Sequence, residues 1–323
     1  MSNRFMESRG YTFRSNLGQG MFGTVVSAYS TRLRKKVAIK VIDKKKLPTS
    51  YVETFLCREL EIIGTLNHPN IVKTLEIFKW NTSKVYVVME FCAKGDLLNH
   101  INVKGALSEH SGCRLFTQLC NAIQYLHNSD VAHRDLKCEN MLLDTHFNLK
   151  VCDFGFSKRL TYADGRMMLS ETFCGTSSYT APEIMRSLPY NPKVSDVWSM
   201  GVVLYVMLHA SKPFDDTNIR RVLRMQIQRN IKFPNSPSVS SEAKDLIQRI
   251  LHPVVEHRIT ITNILQSSWM LREWKMEDSE EATASNAGSG KEGPPEEKAK
   301  EEEKPPKANS EPGEGPSSAA PRH

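Results

Sequence analysis

Hydrophobic positions change their spacing partway along the chain. Between residues 11 and 42, short β-prone runs such as TVVSAYS and KKVAIKVI are broken by glycines, which predicts an antiparallel meander of strands. Tyr51 to Leu66 carries helical spacing, and the Asn67-His68-Pro69 break ends it. Two more strand patterns follow, IVKTLEIF and KVYVVMEF. Beyond Gly95 the apolar spacing becomes three and four, predicting helices over 108–128, 195–209, 217–228 and 241–251. The fold class is therefore α+β: a small antiparallel β lobe, then a larger helical lobe, joined near Phe91–Gly95.

The pattern stops at Glu277. From there to His323 no Val, Ile, Leu, Met, Cys or aromatic residue occurs, and twelve acidic residues stand against six basic ones. Such a Pro/Glu/Lys-rich stretch cannot bury enough apolar surface to offset the entropy of ordering, so residues 277–323 are expected to form a disordered acidic tail. The folded unit is expected to span about residues 8–275. Because the whole chain carries +7, the remaining 276 residues carry +13. A basic body suits nucleic acid, anionic lipid or nucleotide phosphates equally, and composition does not choose among them.

Membrane insertion is not expected, since the longest apolar run, Val202 to Leu208, falls far short of the roughly 20 residues that span a bilayer. The start, MSNRFMESRG, lacks the apolar core of a secretory signal. Seven scattered cysteines contain no Cys-x-x-Cys pair, which argues for free thiols in a reducing compartment rather than a zinc site.

Three segments carry candidate chemistry. Gly18-Gln19-Gly20-Met21-Phe22-Gly23 fits a dinucleotide turn, a phosphate-covering hairpin or an ordinary glycine-rich turn. A dinucleotide fold needs these glycines to open a helix. Here they run into TVVSAYS, so the hairpin is the better account: its backbone amides can approach phosphate oxygens without side-chain interference. Lys40 ends the apolar strand Val37-Ala38-Ile39, and either Glu59 or Glu61 can hold its ammonium. Glu59, nine residues before His68, is the better candidate.

The third segment is His133-Arg134-Asp135-Leu136-Lys137-Cys138-Glu139-Asn140, followed by Asp153-Phe154-Gly155 and then Ala181-Pro182-Glu183. So many charges beside the apolar MLL make no sense as core. Two aspartates and an asparagine on loops fixed by short strands make a hard-oxygen site for Mg²⁺, with one carboxylate left to orient a hydroxyl.

Taken together, residues 11–270 resemble a eukaryotic protein kinase domain. HRDLKCEN, DFGFSKRL and ETFCGT resemble the testis-specific serine/threonine kinases. The resemblance implies a bilobal kinase fold, with a small lobe at 11–91 and a larger one at 96–270. It also implies ATP-dependent transfer of a γ-phosphate to Ser/Thr hydroxyls of proteins, in the cytoplasm of developing male germ cells during spermatogenesis.

Carried over residue by residue, Leu17, Gly18, Gly20, Gly23, Val25 and Ala38 surround ATP, and Glu90 and Cys92 present the hinge backbone to adenine. Asp96 reaches the ribose. Lys40, paired with Glu59, binds phosphates. Asp135 is the base, Lys137 steadies the γ-phosphate, and Asn140 and Asp153 hold Mg²⁺. Glu183 and Arg258 resemble the family's buried ion pair that fastens the activation segment, the stretch between Asp153 and Glu183, and Arg134 is expected as an unpaired guanidinium beside the base until a phosphate bridges it and Lys158. Thr172, eleven residues before Glu183, is the regulatory phosphosite, modified by an upstream kinase or by autophosphorylation. Protein substrates and a chaperone are the implied partners of a monomer, with no nucleic acid.

Two other readings compete with a kinase. A pseudokinase scaffold would lack Lys40, Asp135, Asn140 or Asp153, and all four are present. A nucleic-acid binder needs a clustered basic stripe with aromatic platforms, whereas these lysines are dispersed.

Overall fold

The structure is a computed structural model that describes residues 2–20, 23–49, 52–81, 83–214 and 218–272. The acidic segment 277–323 lies outside the described residues. Five antiparallel strands form the first sheet: β1 (Tyr11–Gly20), β2 (Gly23–Ser30), β3 (Lys35–Asp43), β4 (Thr74–Trp80) and β5 (Lys84–Glu90), in the order β1-β2-β3-β5-β4. The meander expected over residues 11–42 is thus present, and IVKTLEIF contributes its later half. Ile71 bridges instead to Val151 in the helical lobe.

Strand periodicity decides which side chains reach the cleft. Successive residues of a strand point to opposite faces. Val37 and Ile39 of β3 therefore join Tyr86 and Val88 in an outer cluster, while Ile42, Val85 and Val87 belong to the main core. Ala38 and Lys40 share the inner face with Ile42, and Lys40 stands opposite Val25 and Val87 in the sheet register.

A short helix, α1 (Ser2–Ser8), covers the outer face. Met6 is fully buried there, and the Phe5 ring stacks on Trp80 at 5.8 Å. Packing thus begins before residue 8, where the sequence placed the start of the folded unit. The reason is that a seven-residue helix shows too little periodicity to stand out, although Phe5 and Met6 supply its apolar edge.

The helix expected over 51–66 opens with a wide turn at Val52–Leu56 and continues as α2 (Cys57–Thr65). The helical lobe contains α3 (Leu97–Lys104), α4 (Glu109–Asn128), α5 (Pro192–His209), α6 (Ile219–Ile227) and α7 (Ser241–Ile250). Helix α5 starts at Asn191, whose side chain accepts the Lys193 N–H, with Pro192 in the first turn where its missing donor costs nothing. It runs through the core, so Trp198 and Val202–Leu208 are buried. Gly201 lets α7 approach: a Cβ there would lie 2.5 Å from Ile250 Cγ2.

Short strand pairs brace the loops that carry chemistry. These are β6 (Val131–Ala132) with β9 (Lys158–Arg159), and β7 (Met141–Leu143) with β8 (Leu149–Val151). No described helix is long and apolar enough to cross a membrane.

Candidate active site

Lys40 links the two lobes across the cleft. Its Nζ donates to Glu59 Oε1 at 2.7 Å and to Asp153 Oδ1 at 3.1 Å, a residue 113 positions away in sequence. Burial alone would lower the Lys40 pKa, but the Glu59 and Asp153 carboxylates outweigh it and hold the ammonium charged. Burial also works against the ionised form of Asp153, and Lys40 again prevails, holding that carboxyl below its usual range. The choice between the two glutamates of α2 is resolved: Glu59 is buried on Lys40, whereas Glu61 points outward to Arg159 at 2.8 Å.

Asp135 is fixed from three sides. Thr176 Oγ1 donates to its Oδ1 at 2.9 Å, Asn140 Nδ2 donates to its Oδ2 at 3.2 Å, and Lys137 Nζ lies 2.9 Å from Oδ2. Lys137 also donates to Thr176 Oγ1 at 2.9 Å, which ties the activation segment to the loop. The backbone beneath is held by Asp196 of α5, whose carboxylate accepts the His133 N–H at 2.9 Å and the Arg134 N–H at 2.8 Å. That grip matters because Arg134 has φ 66°, a conformation side-chain-bearing residues adopt only when their surroundings impose it. Asp153 has φ 60° as well, at the turn that aims its carboxylate into the cleft.

The donor chemistry of the Asn140–Asp153 pair suits a cation. Asn140 turns its Nδ2 to Asp135, which leaves the amide oxygen as an acceptor, and the Asp153 side chain is 40% exposed to the cleft. Among the described residues no group of three His, Cys, Asp or Glu side chains could cage a metal. One carboxylate and one amide oxygen suit Mg²⁺, which retains water and phosphate ligands and rarely takes an all-protein cage.

Around the nucleotide positions, Gly20 and Gly23 close the hairpin opposite each other. Gly23 is sterically required, since a Cβ would lie 2.5 Å from Val41 O, while Gly18 faces open space. Leu17 is exposed, and Val25 and Ala38 are partly or wholly covered on the inner face. Glu90 receives Lys150 Nζ at 3.0 Å and the Lys73 N–H at 2.8 Å, so the hinge is strapped to β8 and to the chain entering β4. Burial pushes the Cys92 thiol up to about 12 and also raises Cys152 beside Asp153, which makes both poor nucleophiles.

Asp96 also caps a helix. Its Oδ1 accepts the Asn99 N–H at 2.8 Å as the N-cap of α3, so one carboxylate oxygen is already engaged.

Several contributors escaped the sequence. Arg134 is not the unpaired guanidinium expected there: it donates to Phe156 O at 2.7 Å and to Ser170 Oγ at 3.3 Å. Burial lowers the Lys158 pKa, and the nearby guanidinium groups of Arg134 and Arg58 lower it further, against the Glu171 carboxylate. The signal for Arg58 was its position directly before Glu59. Glu183 and Arg258 form the buried pair anticipated, joined at 2.7 and 2.9 Å.

A hairpin over a cleft, a lysine held by a helix glutamate, and an aspartate on a braced loop beside a second aspartate define a phosphotransferase class. The chain belongs to the protein kinase family, whose domain pattern it matches over residues 11–270. Within that family it lies among the testis-specific serine/threonine kinases. It is 50% identical over 266 residues to testis-specific serine/threonine-protein kinase 2 of Mus musculus, covering 82% of this chain and 74% of that protein. It is 44% identical to testis-specific serine/threonine-protein kinase 3 of Homo sapiens, covering 82% of this chain and 98% of that one. A plant relative, CBL-interacting serine/threonine-protein kinase 26 of Arabidopsis thaliana, is 39% identical, covering 84% of this chain and 62% of its own.

Proposed function

We propose that this chain transfers the γ-phosphate of ATP to Ser/Thr hydroxyls of proteins, and that Lys40, Asp135, Lys137, Asn140 and Asp153 carry the reaction. The observation that carries the proposal is the single ammonium of Lys40 shared between Glu59 and Asp153, which brings the phosphate-binding and metal-binding groups into one cleft.

Asp135 is held with both oxygens engaged, so it can orient an incoming hydroxyl and take its proton in one fixed geometry. Lys137, beside it, stabilises charge on the transferring group. Lys40 positions the non-transferring phosphates. Asn140 and Asp153 would hold Mg²⁺, which when bound would neutralise charge on the phosphate oxygens. The hairpin glycines and the partly covered Val25 and Ala38 exclude water around the nucleotide, and the Glu90–Cys92 backbone holds adenine. The scaffold alternative gains no support, because all four residues whose loss it requires are present and mutually placed.

Thr172 is the proposed regulatory phosphosite. It is exposed, and Arg58, Arg134 and Lys158 gather positive charge for a phosphate worth about −1.5 to −2. The names of the relatives support a role in male germ cells, in differentiation leading to sperm, and the free cysteines suit the cytoplasm. A peptide-array assay with the purified chain and Mg·ATP tests the activity. Label on Ser/Thr peptides that disappears in Asp135→Asn is expected, and label that persists in that variant would overturn the mechanism.

A further inference from the structure

Helix α6 turns an apolar face to the core through Val222, which is buried, and Met225, which is partly covered. Gln226 stands one turn after Val222 on that face, where the helical period reserves a place for an apolar side chain, and it is fully buried. Its amide is only half used. Nε2 donates to the Thr180 carbonyl at 3.1 Å, while Oε1 has no hydrogen-bond partner among the described residues. The carbonyl fixes which way the amide faces, because only the amide nitrogen can donate to it. An acceptor left unpaired in the interior costs stability, and an apolar side chain of similar volume would avoid that cost. What the glutamine supplies is its grip on residue 180.

That grip leads to the base. Thr180 Oγ1 donates to the Thr176 carbonyl at 3.0 Å, and Thr176 Oγ1 donates to Asp135 Oδ1 at 2.9 Å. Between them the backbone makes a tight turn. The Tyr179 N–H donates to Thr176 O at 2.9 Å, and the Thr180 N–H donates to Ser177 O at 3.2 Å. Ser199 of α5 donates to the Tyr179 carbonyl at 2.9 Å, a second hold on the same turn. Ser177, next to Thr176, is exposed, so the turn borders the space in which an acceptor hydroxyl meets Asp135.

We propose that Gln226 is a positioning residue for the acceptor protein: through Thr180 and Thr176 it fixes the turn at 176–180 against Asp135 and sets how firmly the acceptor chain is seated. Being buried, it touches neither substrate nor nucleotide. Its effect on the acceptor rests on the kinase reading above, whereas its effect on the turn rests on the hydrogen bonds alone.

Gln226→Met in the full chain keeps the volume and removes the donor. With a Ser/Thr peptide taken from the array, peptide KM should rise about five- to tenfold, consistent with the loss of one hydrogen bond, while kcat and the KM for ATP change by less than about twofold. Melting temperature should move by less than about 3 °C, because the variant replaces one unpaired acceptor, Gln226 Oε1, with another, Thr180 O. Thr180→Val, which removes the hydroxyl, should reproduce the rise in peptide KM, and Thr180→Ser should keep the wild-type value. Combining Gln226→Met with Thr180→Val should impair the enzyme about as much as either alone, since both cut one chain of contacts. An unchanged peptide KM, a parallel rise in the KM for ATP, or losses that multiply in the double variant would overturn the positioning role. Hydrogen exchange reads the turn without reference to activity: the Tyr179 and Thr180 amides should exchange about tenfold faster in Gln226→Met, with the amides of α5 unchanged. Equal exchange in the two proteins overturns the inference even where the wild type phosphorylates peptides. A wild type that labels no peptide overturns the kinase reading, and the exchange rates still decide whether Gln226 holds the turn.

Discussion

Lys40 has two duties that substitution separates. Replacing it with Met removes the phosphate ligand and also the cation shared by Glu59 and Asp153. Lys40→Met is therefore expected to abolish transfer and to cost about 1–3 kcal/mol of stability, below the roughly 3–5 typical of a fully buried pair because the lysine keeps some solvent contact. Asp153→Asn should also abolish transfer, yet leave the melting temperature nearly unchanged, since its side chain is 40% exposed. Thermal melts beside activity assays decide this, and equal melting temperatures for the two variants would refute the shared-cation account. Asp196 gives a pH signature. Burial works to raise its pKa, but His127, His133 and the Arg134 N–H bind its carboxylate and hold it below the usual value. A carboxyl depressed in the folded state adds stability above its unfolded pKa of about 3.8 and loses it as pH falls through the lower folded value. Acid unfolding of the wild type should steepen below about pH 3.8, and Asp196→Asn should flatten that limb while lowering stability at neutral pH.

Breaking the Glu183–Arg258 pair tests how the activation segment is fastened. Both groups are buried, and Arg258 also donates to Val194 O at 3.0 Å, so Arg258→Ala strands a carboxylate and frees the segment's end. A loss of about 3–5 kcal/mol in chemical denaturation is expected, with peptide KM rising, and a loss under 1 kcal/mol would contradict the burial argument. The pair was visible in the sequence because acid and base sit at motif positions. So were the five strands and the long helices, whose periods of two and of three to four run over enough residues to be read. Helices α1 and α3 were missed because seven or eight residues hold barely two turns. The cation cluster of Arg58 and Lys158 was missed for a different reason. It joins a helix of the small lobe to a two-residue strand of the large one, and such a pairing leaves no local pattern. Asp96 shows the converse, a motif position whose side chain also serves as a helix cap.

Polar contacts join the two lobes at several points, the Arg159–Glu61 pair among them. Lys40 reaches from β3 to Asp153, Glu90 receives Lys150, and the Asn70 carbonyl accepts the Val151 N–H at 2.8 Å. The last two surround the hinge and connect it to β8, while the first crosses the cleft itself. A ligand that engages Lys40 from one lobe and Asp153 with Asn140 from the other must therefore stabilise the lobes jointly. Anything that binds only the folded state raises stability by mass action, about 2.7 kcal/mol at a ligand concentration of 100 Kd. For a folded unit of this size, 1 kcal/mol corresponds to roughly 2–4 °C, so Mg·ATP near that concentration should raise the melting temperature by about 5–10 °C. The nucleotide alone should give a smaller shift, because phosphate charge then meets Asp153 without an intervening cation. In Asp153→Asn the Mg²⁺-dependent increment should collapse while the nucleotide-only shift persists, since Lys40 and the hinge backbone are intact. Differential scanning fluorimetry with ATP, with Mg²⁺ and with both, on wild type and variant, resolves these contributions. An increment from Mg²⁺ that is equal in the two proteins would mean that Asp153 does not hold the metal.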